Sequence, residues 1–347
     1  MSWKRRIRPA VDRIARYSGI LQAYERRMRS GVTILMYHRV LEDADCVDYP
    51  FPSLVMPRSS FEAQVDYLAE HARVLPLQYA LRELEDSSHA SKPLVSLTFD
   101  DGYADNFEIV APVLEQRDLR GTFFITAGAV RDRKPLWYDR AAELWALLGA
   151  QKLRQLATDA ARAEGLRFDV RSSWIESLKF LPNGDRLQLL AMAETAAEGA
   201  PSECPMMTSE QVKRLAERSH EIGSHTLWHP ILTTMTPEER KSEIHGAKQL
   251  LEDWTHRKIT GFCYPNGNFA AKVIQELQEA GHEYACTTLP GRNDETSDHF
   301  QLGRIDITAD RVTAADGGFD PLGFRAEICM MREALRKGPA LPAGSAA

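Results

Sequence analysis

Two stretches of this chain carry residue types that can do chemistry together. The first is Leu94-Val95-Ser96-Leu97-Thr98-Phe99-Asp100-Asp101-Gly102-Tyr103, where an apolar, β-branched run meets two adjacent carboxylates and a glycine. This reads as a buried strand ending in a turn, which delivers two charges to the rim of a core. A desolvated charge needs a cation, a metal or several donors, so a partner must come from elsewhere in the chain. The second stretch is Ile222-Gly223-Ser224-His225-Thr226-Leu227-Trp228-His229-Pro230, with two imidazoles four residues apart after another short apolar run. Asp101, His225 and His229 make a two-histidine, one-carboxylate set with positions left open for water and substrate. That set suits a catalytic zinc, or another first-row divalent metal, better than a closed structural site. Asp100 is then free to act as a base. Asp-Asp-Gly alone is most often a turn, and a lone His-x-x-x-His pair is more often not a ligand pair. Together, each after a strand-like run, they favour a site.

The elements around these stretches must position them. Gly31 to Val40 is a further apolar run, expected as the first strand, with His38 at its polar end. Ser59-Ser60-Phe61-Glu62 fits a capping box opening a helix to about Ala72, and a second helix is expected from Leu77 to Leu84. A helix from Asn106 to Gln116 and a strand from Gly121 to Ile125 follow the carboxylates. Strand and helix alternation then stops. Residues 131–206 are helical in pattern and alanine-rich, with Trp137, Tyr138, Trp145 and Trp174, and read as an insertion of roughly 70 residues. It is either a cap over the site or a structural or dimerising insert. Thr208-Ser209-Glu210-Gln211 and Thr236-Pro237-Glu238-Glu239 are strong helix starts. Gly261 to Gly267 ends a strand with turn chemistry. Another helix is expected from about Ala270 to Ala280, with strands near Tyr284 to Thr287 and Gln301 to Ile307.

Thr98-Phe99-Asp100-Asp101-Gly102 and His225-Thr226-x-x-His229 resemble the first two motifs of the polysaccharide deacetylase family, also called the NodB-homology or carbohydrate esterase family 4 domain. The resemblance runs from about Gly31 to Ile307, interrupted by the insertion. It implies an α/β fold, a distorted (β/α) barrel with its site at the C-terminal strand ends. It also implies metal-dependent hydrolysis of an N-acetyl group on an amino sugar. Phe262-Cys263-Tyr264-Pro265-Asn266-Gly267 is similar to the family's third motif, with Cys263 where an arginine that holds the catalytic aspartate is usual. Arg304 is the candidate to supply that charge. By the same resemblance, Tyr264 and Asn266 lie at the oxyanion and substrate side, with a backbone N–H near Asn266 helping to hold the oxyanion. The family's C-terminal Leu-x-His motif is not recognisable. Met36-Tyr37-His38-Arg39-Val40 looks instead like the signature of a branch containing poly-N-acetylglucosamine deacetylases, which assigns the acid to His38, with His299 as second choice. Asp100 is then expected to take the water proton and His38 to protonate the departing amine.

The composition bounds the alternatives. With 44% hydrophobic and 27% charged residues the chain has ample material for a core, and its formal net charge of -6 argues against nucleic-acid partners. Five cysteines, Cys46, Cys204, Cys263, Cys286 and Cys329, have no disulfide or metal spacing and fit a reducing compartment. Residues 1–30 hold nine basic against two acidic side chains without the apolar core of a secretory signal. With Trp3, Ile7, Val11, Ile14 and Leu21 at near-helical spacing, they form a basic amphipathic segment that either lies on an anionic membrane or packs on the barrel. The expected division is therefore this segment, a barrel over 31–310 carrying the insertion, and a C-terminal helix with a disordered tail over 311–347. A cytoplasmic enzyme, at the inner membrane face through residues 1–30, acting on an N-acetylated glycan or lipid-linked sugar in exopolysaccharide or surface-glycan synthesis follows from these features. A deformylase or other small-amide hydrolase on the same barrel, and a catalytically silent glycan-binding module, are the competing readings.

Overall fold

A computed structural model describes residues 14, 16–47, 49–85, 92–164, 174–179, 181–197, 205–314 and 316–337. Residues 1–13 and 15 of the basic amphipathic segment and the tail beyond residue 337 lie outside them, as do Cys204 and His89. Ten strands occur among the described residues: β1 Val32–Tyr37, β2 Arg39–Leu41, β3 Val55–Pro57, β4 Arg73–Val74, β5 Leu94–Phe99, β6 Thr122–Ile125, β7 Glu221–Ser224, β8 Gly261–Cys263, β9 Tyr284–Cys286 and β10 Ile305–Asp306. The chain divides into two compact units. One comprises residues 1–99, 109–122 and 288–347, the other residues 100–108 and 123–287.

In the first unit β1 lies between β10 and β5, and all three run parallel, with Leu35 opposite both Leu97 and Ile305. Every residue of β1 and β5 is buried, which is why both read as continuous apolar runs rather than alternating ones. β4 pairs with the start of β5, also parallel. In the second unit the strands run in the order β6-β7-β8-β9, with β7–β8 and β8–β9 parallel. Parallel neighbours need crossover helices. Two of these, Ser209–Glu217 and Pro237–Thr255, open with the capping boxes expected at Thr208 and Thr236. Residues 131–206 hold the helices Trp137–Glu164, Trp174–Lys179 and Asn183–Ala196, the first kinked where Gly149 takes φ 72°. No helix among the described residues is long and apolar enough to cross a membrane.

Four local expectations differ from the structure. The helix expected at Ser59 starts at Arg58 without a side-chain cap of its own. Asp43 caps it from upstream, accepting from Ser59 N at 3.0 Å and from Ser59 Oγ at 2.5 Å, and Glu62, needed for a capping box, is taken by Arg58 at 2.8 Å. Residues 106–110 form a π-helical turn before the α-helix Ala111–Glu115. The run Gly31–Val40 is divided between β1 and β2, with His38 between them. The strand expected over Gln301–Ile307 shrinks to Ile305–Asp306, because the Asn293 side chain binds both the N–H and the C=O of Gly303 and removes them from any ladder.

Candidate active site

The Asp100-Asp101-Gly102 turn follows β5 directly in the chain, and its backbone is held in a conformation that few residues adopt. Asp101 has φ 81° and Gly102 φ 89°; for an L-residue such as Asp101 this costs on the order of 1–3 kcal/mol and persists only when the surroundings impose it. Thr226 and His229 are also left-handed, with φ 67° and 56°. The segment after β6 imposes both. Thr126 N donates to Asp101 O at 3.2 Å, Ala127 N to Thr226 O at 3.0 Å, Ala129 N to Leu227 O at 3.1 Å, and His225 N to Ile125 O at 3.0 Å. Gly128 permits this approach, since a Cβ there would lie 2.6 Å from Leu227 O. The histidine loop is also held from behind, where Glu243 Oε2 accepts from Leu227 N at 2.8 Å and Trp228 N at 3.0 Å, and Thr226 Oγ1 accepts from His229 N at 3.0 Å.

This scaffold brings together the three residues expected as ligands. Asp101 Oδ1 lies 3.4 Å from His225 Nε2 and 3.5 Å from His229 Nε2. Donors held about 2.0–2.1 Å from a tetrahedral ion lie roughly 3.3–3.4 Å apart, so one ion fits among these atoms. The proton arrangement fits as well. His225 Nδ1 is 2.7 Å from the carbonyl of Cys263; a carbonyl only accepts, so Nδ1 carries the proton and Nε2 of the neutral ring offers its lone pair. Asp101 and His225 are buried, while His229 retains 12% of its side-chain surface. Burial alone depresses the His225 pKa, but Cys263, Asp101 and Asp100 outweigh it and hold the ring well above its ordinary value. The site thus calls for positive charge, which a divalent cation supplies in place of a proton. A second donor set shares His225 and adds Asp100 and Cys263.

Asp100 is 2% exposed, and its Oδ2 accepts from the Cys263 thiol at 3.4 Å. Cys263 is at the end of β8, in register with Cys286 of β9, and neither is in a disulfide. Tyr264 is fully buried, its ring against Phe262 and Phe269. Asn266 takes a left-handed φ of 58° within the turn that Gly267 N closes onto Tyr264 O at 2.8 Å. His38 and Arg304 belong to the first unit. His38 follows β1, with the half-buried Asp306 carboxyl close enough to feel its charge, and Arg304, 1% exposed, donates through Nη1 to Thr98 Oγ1 at 3.1 Å. His282 is buried against Phe262 and its pKa falls to about 3 because of that burial. The buried His220 stacks edge-on with Phe123.

The structure also presents residues that the sequence did not single out for the site. Tyr138, at the start of helix Trp137–Glu164, donates its hydroxyl to Asp101 Oδ2 at 2.7 Å, and Trp137 Nε1 donates to the His229 carbonyl at 3.1 Å. Burial and the charges of Asp101 and Asp139 raise the Tyr138 pKa well above its usual value, so the phenol remains a donor. In the sequence, the adjacent Trp-Tyr-Asp at the opening of the insertion is the one signal for this. It is an amphipathic group standing where a plain helical insert has no need of one.

A family model for polysaccharide deacetylase matches residues 87–285. The chain belongs to the polysaccharide deacetylase family. Members are hydrolases acting on N-acetyl amides, and the expected enzyme class is theirs. YxkH of Bacillus subtilis strain 168, described as a polysaccharide deacetylase, is 22% identical over 288 residues, covering 82% of this chain and 75% of its own. The deacetylase PplD of Streptococcus pyogenes, solved in complex with acetate, superposes with a TM-score of 0.54 at 17% identity, over 80% of this chain and 92% of its own. IcaB from Ammonifex degensii does so with a TM-score of 0.53 at 20% identity, over 81% and 93%. The fold is therefore the deacetylase (β/α) barrel that the motifs implied.

Proposed function

We propose that this family member is a zinc-dependent N-deacetylase acting on an amino-sugar-containing polysaccharide or lipid-linked glycan precursor, in exopolysaccharide or surface-glycan synthesis. The observation that carries the reading is the 3.4 and 3.5 Å spacing of the His225 and His229 Nε2 atoms from one oxygen of Asp101. Zinc, or another divalent first-row ion, supplies Lewis acidity toward the acetyl carbonyl and acidifies a water when bound. Asp101, His225 and His229 hold it. Asp100, with the Cys263 thiol at its Oδ2, removes the proton from the attacking water. The backbone N–H near Asn266 assists with the oxyanion, next to the Tyr264 side of the substrate. His38, with the Asp306 carboxylate as its charged neighbour, protonates the amine that leaves. Arg304, bonded to Thr98 two residues before the base, supplies the positive charge that Cys263 lacks.

The domain division follows the same reading, with a barrel over 31–310, the insertion at about 131–206 as a cap, and residues 311–347 as a C-terminal addition. Residues 1–30 serve as the peripheral membrane contact of a cytoplasmic enzyme. Ile14, Tyr17 and Ile20 are exposed, at 67%, 83% and 48%, which leaves apolar side chains for a membrane surface, while Leu21 of the same segment is fully buried. Elemental analysis of purified protein beside His229→Ala, with acetate release from N-acetylglucosamine oligomers, tests the core of the reading. About one equivalent of metal that disappears in the variant together with acetate release is expected. A wild type that stays empty after reconstitution, or one that releases formate but no acetate from a matched substrate panel, sinks it.

A further inference from the structure

We propose that Tyr138 is a positioning residue for the metal ligand Asp101, so that the helical insertion sets the geometry of the metal centre as well as adding to the chain. This rests on the metal-site reading above. An aspartate can meet a metal through one oxygen or two, and the mode changes the coordination number. Tyr138 donates to Oδ2 at 2.7 Å, while Oδ1 is the oxygen facing both imidazoles at 3.4 and 3.5 Å. A carboxylate with one oxygen engaged by a buried phenol is held to single-oxygen ligation, and its plane is fixed.

The phenol is itself constrained from three directions. Its ring stands edge-on to His229 at 5.3 Å between centroids and 73° between planes. Its oxygen is 3.0 Å from the Tyr103 hydroxyl, whose single hydrogen has the Tyr138 oxygen and Asp139 Oδ2 and Oδ1, at 3.1 and 3.2 Å, as alternative acceptors. The preceding Trp137 donates to the carbonyl of His229 and has the buried Arg186 guanidinium 4.7 Å from its ring centroid. One corner of the insertion thus fastens two of the three ligands, Asp101 through its side chain and His229 through its backbone. A covering helix that only excluded water would require the ring of Tyr138 and not its hydroxyl.

The variant Tyr138→Phe separates these roles, because it keeps the ring and removes the donor. The metal-free protein is titrated with Zn2+ against a chromophoric chelator, and with Co2+ to read the coordination number from its visible bands. Wild type, Tyr138→Phe, Tyr103→Phe and His229→Ala are compared, with circular dichroism and thermal melts of the metal-free forms. Tyr138→Phe is expected to bind Zn2+ about 10–100-fold more weakly, with Co2+ bands weakened by a second Asp101 oxygen joining the metal. Tyr103→Phe is expected to lose a few-fold, since the hydroxyl of Tyr138 is then less well directed. Unchanged Zn2+ affinity and Co2+ bands in folded Tyr138→Phe overturn the proposal. If Tyr138→Phe does not fold, Tyr103→Phe decides, and wild-type affinity there overturns it. A wild type that binds no metal, or a His229→Ala that binds as wild type does, overturns the metal site itself, which is a distinguishable result.

Discussion

The two sides of the Asp100-Asp101 turn make an instructive pair. Both carboxylates are buried, at 2% and 1% exposure, and they are adjacent in the chain, yet their surroundings are opposite in kind. Asp101 receives a phenol hydroxyl at 2.7 Å and faces two imidazoles. Asp100 receives a thiol at 3.4 Å, where the family's usual residue is an arginine. A carboxylate gripped by a strong donor and aimed at two nitrogens is suited to hold a cation. The other carboxylate has a thiol, a weak donor, at its Oδ2. Different chain segments are brought to each side, the insertion to one and β8 to the other, so two identical groups meet different partners.

The comparison breaks first at the carboxylates themselves. Asp101→Asn is expected to lose the metal, whereas Asp100→Asn is expected to keep it and lose roughly 100-fold or more in kcat, the usual size of a general-base effect. Metal content and acetate release measured side by side check this, and equal metal loss in both variants erases the distinction.

Glu243, which anchors the histidine loop on the Asp101 side, sharpens it through stability. Burial raises the Glu243 pKa to about 7, against the lowering effect of the Trp228 and Leu227 N–H groups. Its folded pKa is above the unfolded one, so its favourable contribution is present below about pH 4.5 and is lost as pH rises through about 7. The full span corresponds to about 3 kcal/mol. Urea midpoints at several pH values should therefore fall less between pH 5 and 8 in Glu243→Gln than in wild type, and parallel curves would remove Glu243 as the cause.

The smallest effect is expected on the Asp100 side. Cys263→Ser puts a stronger donor against the base and should lower kcat a few-fold, with metal content unchanged, displacing the acid limb of the pH–rate profile. A profile identical to wild type would mean that this contact does not tune Asp100.

The parts that were legible in the sequence are those governed by neighbours in the chain. The Thr208 and Thr236 capping boxes formed as expected because donor and acceptor are three residues apart. The buried strand before Asp100 was legible because a parallel strand covered on both faces is largely apolar, whereas the strand before His225, Glu221–Ser224, is buried but carries Glu221 and Ser224. Even local reading failed where a distant group intervened, as when Asp43 capped the helix at Ser59 and the Asn293 side chain ended a strand at Gly303.

At the candidate site the same division holds. The sequence by itself determined the donor types, their order and the family, because carboxylate and imidazole chemistry belongs to the residues and the motifs are short and contiguous. Only the tertiary structure decided which oxygen of Asp101 faces the histidines, which nitrogen of His225 is protonated, and that Tyr138 and Cys263 stand against the two carboxylates. Those contacts join residues 37 and 163 positions apart. Hydrogen bonds depend on distances of a few tenths of an ångström, which the packing of the elements sets and no local pattern encodes.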